Sequence, residues 1–176
     1  MTKLTHRDFC FALSDAIGHK IKPSHIEQTR RALVREGLLT KSQGKNLAVL
    51  TKQEAATILI AICLPGTLAE RVDWAARVAA FPGFMNRLAE LLDSPSDLSK
   101  VEYLSIGDTS AIIGIDGTKP EDFQFGNSSP ASYPEGGFVS VSVEISPALF
   151  RIASVELINL NNDCGEMVGN DFCGDE

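Results

Sequence analysis

The chain has 176 residues, of which 44% are hydrophobic, a length and composition that suit one or two small domains with buried cores. Its longest apolar stretch, residues 55–64, is too short to cross a hydrocarbon core, and no apolar run typical of a secretory signal follows the N-terminus. We therefore expect a cytoplasmic protein with no membrane partner. The formal net charge of −7, taken over the whole chain, argues against a nucleic-acid partner.

The charge is unevenly distributed along the chain. Residues 1–52 hold ten Lys and Arg against four acidic residues, a net charge of +6, whereas the remaining residues carry −13. Such asymmetry is typical of a part that faces nucleic acid joined to a part with another role. The basic segment is therefore the candidate binding region.

Two helices are predicted at the start of the chain. Apolar residues at helical spacing indicate a first helix over residues 5–17. Pro23 cannot continue a helix, and Ser24 is a suitable N-cap for a second helix over residues 25–36. The two helices are thus separated by a short break.

The next segment predicts a small β-hairpin and then three more helices. Polar residues centred on Gly44, followed by a short apolar run, indicate a hairpin or wing over residues 39–51. A Thr-Lys-Gln-Glu capping box opens an apolar helix over residues 52–64. Further helices are expected over residues 68–80 and, after a Pro-Gly break, over residues 84–92. Their charged residues are assigned to solvated faces: Arg71, Asp73, Arg77, Arg87 and Glu90.

The C-terminal part has a β-like composition. Residues 101–115 are rich in β-branched residues and end at an Asp-Gly turn signal, and residues 138–145 alternate as a half-buried strand does. Residues 147–160 fit either a short helix or another strand. The acidic, glycine-rich residues 161–176 are expected to form a flexible tail.

These elements predict an α+β protein with an all-helical N-terminal domain and a small β-rich C-terminal domain. The N-terminal domain, residues 1–94, is interpreted as a winged helix-turn-helix that binds DNA. The second domain, residues 99–160, is expected to serve oligomerisation or partner binding.

The order of helix, break, basic helix and hairpin is typical of a winged helix-turn-helix, whose second helix enters the major groove. Gln reads adenine and Arg reads guanine through paired hydrogen bonds, while Lys meets phosphates. The predicted DNA-binding residues are Lys20, Lys22, Ser24, His25, Gln28, Thr29, Arg30 and Arg31 around the second helix, and Lys41, Gln43, Lys45 and Asn46 on the wing.

Residues 31–39, the hairpin and residues 50–60 together resemble the MerR-type winged helix. That pattern has a recognition helix ending in a charged residue and Gly-Leu, then a wing, then a helix with an acid-containing cap. The resemblance covers roughly residues 5–64 and extends to small regulatory proteins of phages and prophages. The wing departs from the family, because Leu47-Ala48-Val49 replaces its Arg-aromatic pair. The resemblance implies DNA contacts by Arg30, Arg31, Lys41 and Lys45.

The sequence contains few features typical of a catalytic site, so we do not expect an enzyme. No glycine-rich phosphate loop is present, and the serines of the C-terminal half have no histidine in that half. The spacing of the three histidines matches no metal site, and the last two cysteines are not at zinc-ligand spacing. We expect no catalytic residues, no metal and no cofactor.

The sequence thus predicts a sequence-specific transcriptional regulator, phage-derived in type, that binds double-stranded DNA as a homodimer. Its acidic C-terminal domain would mediate self-association or contact a protein partner. The main alternative is a protein-interaction module, an inhibitor or adaptor, whose acidic part mimics nucleic acid. A regulator that senses a small molecule through its β domain is a third reading.

Overall fold

The computed structural model describes residues 4–18, 20–42, 48–107, 110–124 and 142–166. These residues form an α+β structure, which confirms the predicted class. The elements are α1 (His6–Ala16), α2 (Pro23–Arg35), α3 (Lys52–Cys63), α4 (Leu68–Ala79), α5 (Pro82–Asp93), α6 (Pro95–Leu98), β1 (Val101–Gly107), β2 (Ser110–Ile115), β3 (Glu121–Gln124), β4 (Ser142–Ile145) and α7 (Pro147–Glu166).

Three helices begin with a complete capping box. In each, a threonine hydroxyl accepts a hydrogen bond from the third backbone N–H, while the acidic side chain at that third position accepts from the threonine N–H. These contacts satisfy N–H groups that the helix itself leaves without partners. The pairs are Thr5 with Asp8, Thr51 with Glu54, and Thr67 with Glu70.

Helices α2 and α5 begin with proline instead. Pro23 and Pro82 occupy the first turn, where the missing N–H has no intrahelical partner to lose. The prediction that Ser24 caps α2 is therefore wrong, since Ser24 lies inside the helix and Lys22 is the N-cap residue. The side chain of Lys22 makes no capping hydrogen bond.

Helix α3 is the centre of the helical part. Its residues from Glu54 to Ile62 are all buried, and the helix packs against α2, α4 and α5. A helix that is apolar on every side is stable only when other elements surround it. Helices α2, α4 and α5 therefore each turn an apolar face towards α3.

The predicted wing is only partly within the described residues. Residues 38–42 and 48–51 form no strand, while the predicted turn at Gly44 lies outside the described residues. The Ala48 N–H donates to the Ser42 hydroxyl over 3.1 Å, and the Leu50 N–H donates to the Leu4 carbonyl over 2.9 Å. Residues 48–50 thus bond to Ser42 and to the segment before α1.

The four strands form one antiparallel sheet in the order β3-β2-β1-β4. Leu104 of β1 faces Ile113 of β2 on one side and Ile145 of β4 on the other, and all three are buried. The stretch predicted as one β-rich segment over residues 101–115 is therefore two paired strands. The Asp-Gly turn after β2 is confirmed, with Gly117 at a φ of +69° that favours glycine.

Residues 147–160, for which helix and strand were both predicted, are helical and belong to α7. This helix extends to Glu166, inside the segment predicted as a tail. It packs on α1, α5, α6 and β1. The Arg151 guanidinium donates to the carbonyls of Leu98, Ser99 and Val101 over 3.3, 3.1 and 2.7 Å. Residues 167–176 lie outside the described residues.

One buried hydrophobic cluster runs from Leu4 before α1 to Leu157 in α7 and includes the inner face of the sheet. The rings of Phe84 in α5 and Phe123 in β3 meet edge to face, with centroids 5.4 Å apart. The division into two domains stays a prediction, and apolar contacts cross the predicted boundary between them. In the part of the chain that the structure describes, no helix combines the length and apolar character needed to span a bilayer.

Candidate nucleic-acid interface

The outer face of α2 is polar and basic. Four exposed residues follow each other at spacings of three or four along this helix, so their side chains share one face. Two exposed lysines precede the helix: Lys20 lies in the bend before α2, and Lys22 is its N-cap residue. The face residues are Ser24, Gln28, Arg31 and Arg35, and the lysines are Lys20 and Lys22.

Glu27 holds both neighbouring arginines of α2. Arg30 donates through Nε and Nη2 to the two carboxylate oxygens of Glu27 over 2.7 and 2.8 Å, and Arg31 Nε donates over 2.7 Å. The hydrogen bond from Arg30, aided by Arg31 and opposed by burial, lowers the pKa of Glu27 to about 2. The three side chains together therefore carry one net positive charge.

The two arginines differ in accessibility. The Arg30 side chain is 18% exposed and its guanidinium is occupied by Glu27, which raises the pKa of Arg30. The Arg31 side chain is 73% exposed and uses only Nε. Of the predicted pair, Arg31 can reach a ligand without rearrangement, whereas Arg30 would first have to leave Glu27.

The prediction that Thr29 lies in the interface is wrong. It is fully buried, and its hydroxyl donates to the His25 carbonyl over 2.9 Å. The position belongs to the apolar stripe of Ile26 and Leu33, spaced three and four residues away, which faces the core. Thr29 therefore faces the core, and its hydroxyl is not available to a base.

His25 lies half-buried in the first turn of α2, and its Nε2 contacts Nη1 of Arg71 in α4. Burial, and then the charge of Arg71, lower the pKa of His25. Arg71 was predicted on a solvated face, but only 5% of its surface is exposed, and burial lowers its pKa. The prediction for Arg71 is therefore wrong, and a buried cation stands beside the predicted interface.

The base of the predicted wing is held by Glu54. Its carboxylate accepts from the N–H groups of Thr40 over 2.7 Å and Thr51 over 2.9 Å, and lies 3.4 Å from His6 Nε2. Burial raises the pKa of Glu54, but these hydrogen bonds outweigh it, and the net pKa is lowered. Lys41, beside Thr40, is exposed. The wing residues Gln43, Lys45 and Asn46 lie outside the described residues.

Among the residues that the structure describes, no three His, Cys, Asp or Glu side chains group closely enough to hold a metal ion. The thiols of Cys10 and Cys63 are shielded, and burial raises the pKa of each to about 12. Neither is thus a reactive nucleophile near neutral pH.

Comparisons with models of known protein families, with curated proteins and with solved structures find no match. Function is therefore inferred from the charge and geometry of this chain alone. The sequence could have revealed two of the features described above. Arg71 lies four and seven residues before the buried Ala75 and Val78, which is core-facing spacing, and Glu27 precedes Arg30 and Arg31 at ion-pair spacing.

Proposed function

We propose that the protein binds double-stranded DNA through α2 and the basic residues beside it. The observation that carries the proposal is the stripe of Ser24, Gln28, Arg31 and Arg35 on one exposed face of a helix preceded by Lys20 and Lys22. An α-helix fits the major groove, and amide and guanidinium groups read base edges there. The lysines supply the phosphate contacts that dominate affinity.

In this proposal the N-terminal part works as a winged helix-turn-helix, with α1 and α2 as its two helices. Gln28 and Arg31 contact bases, and Lys20, Lys22 and Lys41 contact phosphates. The protein is a transcriptional regulator that acts as a dimer, because two copies of α2 would engage half-sites one turn apart. The acidic C-terminal part, with little attraction to DNA, serves self-association or a protein partner.

The test is fluorescence anisotropy with duplex DNA over a salt series, using the full chain. We expect affinity to fall steeply with salt, and Arg31→Ala to weaken binding by about 1–3 kcal/mol if Arg31 reads a base. Arg77→Ala is the matched control, since it removes one exposed charge from α4, where Arg77 contacts Asp73. Equal affinities of the two variants, or no binding at low salt, would contradict the proposal.

A second candidate function, a protein-interaction module, is favoured by Phe11. This side chain is 78% exposed on α1, between the exposed charges of Arg7 and Asp15. Exposed aromatic residues are enriched at protein interfaces, although a single one is also common on ordinary surfaces. Phe11→Ser separates the two candidates, because it should leave DNA binding unchanged and weaken only an interaction with a protein or with a second copy.

A further inference from the structure

A cavity of about 290 Å³ lies where the segment before α1, the start of α3, the end of α5 and α7 meet. Its inner part is aliphatic, and four of its five apolar residues are buried. Its mouth is polar, and the four polar residues there are all exposed. Small-molecule sites have this combination of an apolar interior and a few polar groups. The apolar residues are Leu4, Leu50, Leu92, Leu157 and Ile158, and the polar residues are Thr51, Lys52, Asp93 and Asn161.

Hydrogen bonds hold the aliphatic wall of the cavity in place. The Leu50 N–H donates to the Leu4 carbonyl over 2.9 Å, which joins the segment before α1 to the start of α3. The Ser154 hydroxyl donates to the Leu92 carbonyl over 2.7 Å, which joins α7 to α5. The cavity is therefore formed without a ligand, and a ligand that enters it avoids much of the cost of ordering a flexible site.

An exposed ion pair stands at the mouth of the cavity. Lys52 Nζ lies 2.5 Å from Asp93 Oδ1, and both side chains are roughly half exposed. Lys52 is the first residue of α3 and Asp93 the last of α5, so each charge lies at the helix end where the dipole favours the opposite sign. Since solvent also screens the pair, helix stability does not account for these two charges. The pair can open at little cost.

The two charges together select a ligand that carries both signs. A lone carboxylate at Lys52 would meet the like charge of Asp93, and a lone amine at Asp93 would meet that of Lys52. A ligand with adjacent carboxylate and ammonium groups replaces one exposed ion pair by two. The cavity volume is at the lower end of the range for small-molecule sites, which limits the rest of the ligand to a short apolar chain.

We propose that this cavity binds a free α-amino acid with an aliphatic side chain. The carboxylate contacts Lys52, the ammonium group contacts Asp93, and the side chain lies among the leucines. Thr51 and Asn161 offer a hydroxyl and an amide for further hydrogen bonds at the mouth. The site goes beyond the proposed function, since none of its residues belongs to the predicted DNA-binding set.

The test titrates L-leucine into the full chain while NMR follows the methyl signals of Leu92 and Leu157. We expect saturable shifts in the native chain. Three probes each lack one feature of leucine: isocaproate lacks the ammonium group, isopentylamine lacks the carboxylate, and glycine lacks the aliphatic side chain. Each should bind at least about tenfold more weakly, the effect of losing one charge-assisted hydrogen bond or the burial of one leucine side chain.

Lys52→Gln and Asp93→Asn each remove one charge from the mouth and should lower leucine affinity by about tenfold or more. Both residues are exposed, so both variants should fold. Lys100→Gln is the matched control, because Lys100 forms an equally exposed ion pair with Asp97 over 3.0 Å and does not line the cavity. Equal leucine affinity of the Lys52 and Lys100 variants would overturn the site.

Two further outcomes would overturn the proposal. The first is the absence of saturation by leucine in the native chain, and the second is an analogue with a single charge that binds as tightly as leucine. Ile158→Phe tests the apolar part, because the larger side chain fills the cavity and should abolish leucine binding. Retained leucine binding by this variant, with circular dichroism showing that it folds, would place the ligand elsewhere and overturn the site.

No DNA enters these titrations, so their outcome is independent of the proposed function. Leucine binding that depends on Lys52, in a chain that does not bind duplex DNA, would support the site and overturn the proposed function. DNA binding that depends on Arg31, in a chain that does not bind leucine, would overturn the site and leave the proposed function standing.

Discussion

The polar groups at the junction between α5, α7 and the sheet are more fully paired than those at the start of α2. At the junction, Arg87 contacts both oxygens of Glu121, Arg151 contacts three carbonyls, and the Ser154 hydroxyl donates to the Leu92 carbonyl over 2.7 Å. At the start of α2, within the described part of the chain, Arg71 contacts only the uncharged acceptors of His25 and Thr67, and no side chain caps the helix.

This difference separates a region built for stability from one that keeps binding capacity. Burying polar groups costs the least free energy when every hydrogen-bond donor has an acceptor, as at the junction. Donors left open near the surface weaken the fold but keep their capacity for a ligand. Changes at the junction should therefore reduce stability, whereas changes at α2 should alter binding more than stability.

The largest effect is expected from Phe84→Ala at the junction. Phe84 is fully buried and meets Phe123 of β3, so its truncation opens a cavity between helices and sheet. We expect a loss of about 3–5 kcal/mol in the free energy of unfolding, measured by urea denaturation. Phe11→Ala on the exposed side of α1 is the control and should change stability by less than about 0.5 kcal/mol. Similar losses in both would contradict the packing described for α5.

A smaller effect is expected from Arg87→Met, which removes the bidentate contact with Glu121. Both side chains are about one-third exposed, so solvent screens the pair, and we expect a loss of roughly 1 kcal/mol. A double-mutant cycle with Glu121→Gln isolates the interaction, because the two losses should not add. Additive losses would mean that the contact does not join α5 to β3.

Most of the helices could be predicted from the sequence because the capping residues and apolar runs that indicate them are local. The capping residues Thr51 and Glu54 and the apolar run after them indicate α3 without reference to the rest of the chain. The nature of residues 147–160 stayed open, since a short apolar run satisfies helical and strand periodicity alike. Its outcome depends on packing against α1, α5 and β1, which no local signal encodes.

The candidate interface was predicted from the order of the elements and from residue type, and neither determines which way a side chain faces. Thr29 is one of the predicted interface residues, yet its spacing from Ile26 and Leu33 places it in the core. Arg71 was assigned to solvent because it is charged, yet it is buried. Its contact with His25 joins residues 46 positions apart, a separation that sequence patterns on one helix do not detect.

Glu27→Gln should strengthen DNA binding while weakening the fold slightly. The change releases Arg30 and Arg31 from the carboxylate and removes a negative charge from the proposed interface. We expect the slope of log affinity against log salt to steepen by about 1, and stability to fall by roughly 0.5 kcal/mol. Glu102→Gln, an equal charge change on an exposed residue of β1, should leave both unchanged. Weaker DNA binding by Glu27→Gln would contradict the role given to Arg31.

The smallest effect concerns His25 and pH. Burial and Arg71 lower the pKa of His25 in the folded chain from 6.5, so the unfolded chain takes up a proton more readily. The stability due to neutral His25 is fully present above pH 6.5 and is lost as the pH falls through the lowered folded pKa. His25→Gln should flatten this decline, measured by urea denaturation across the pH range, and the difference between the two chains isolates His25 from the other histidines.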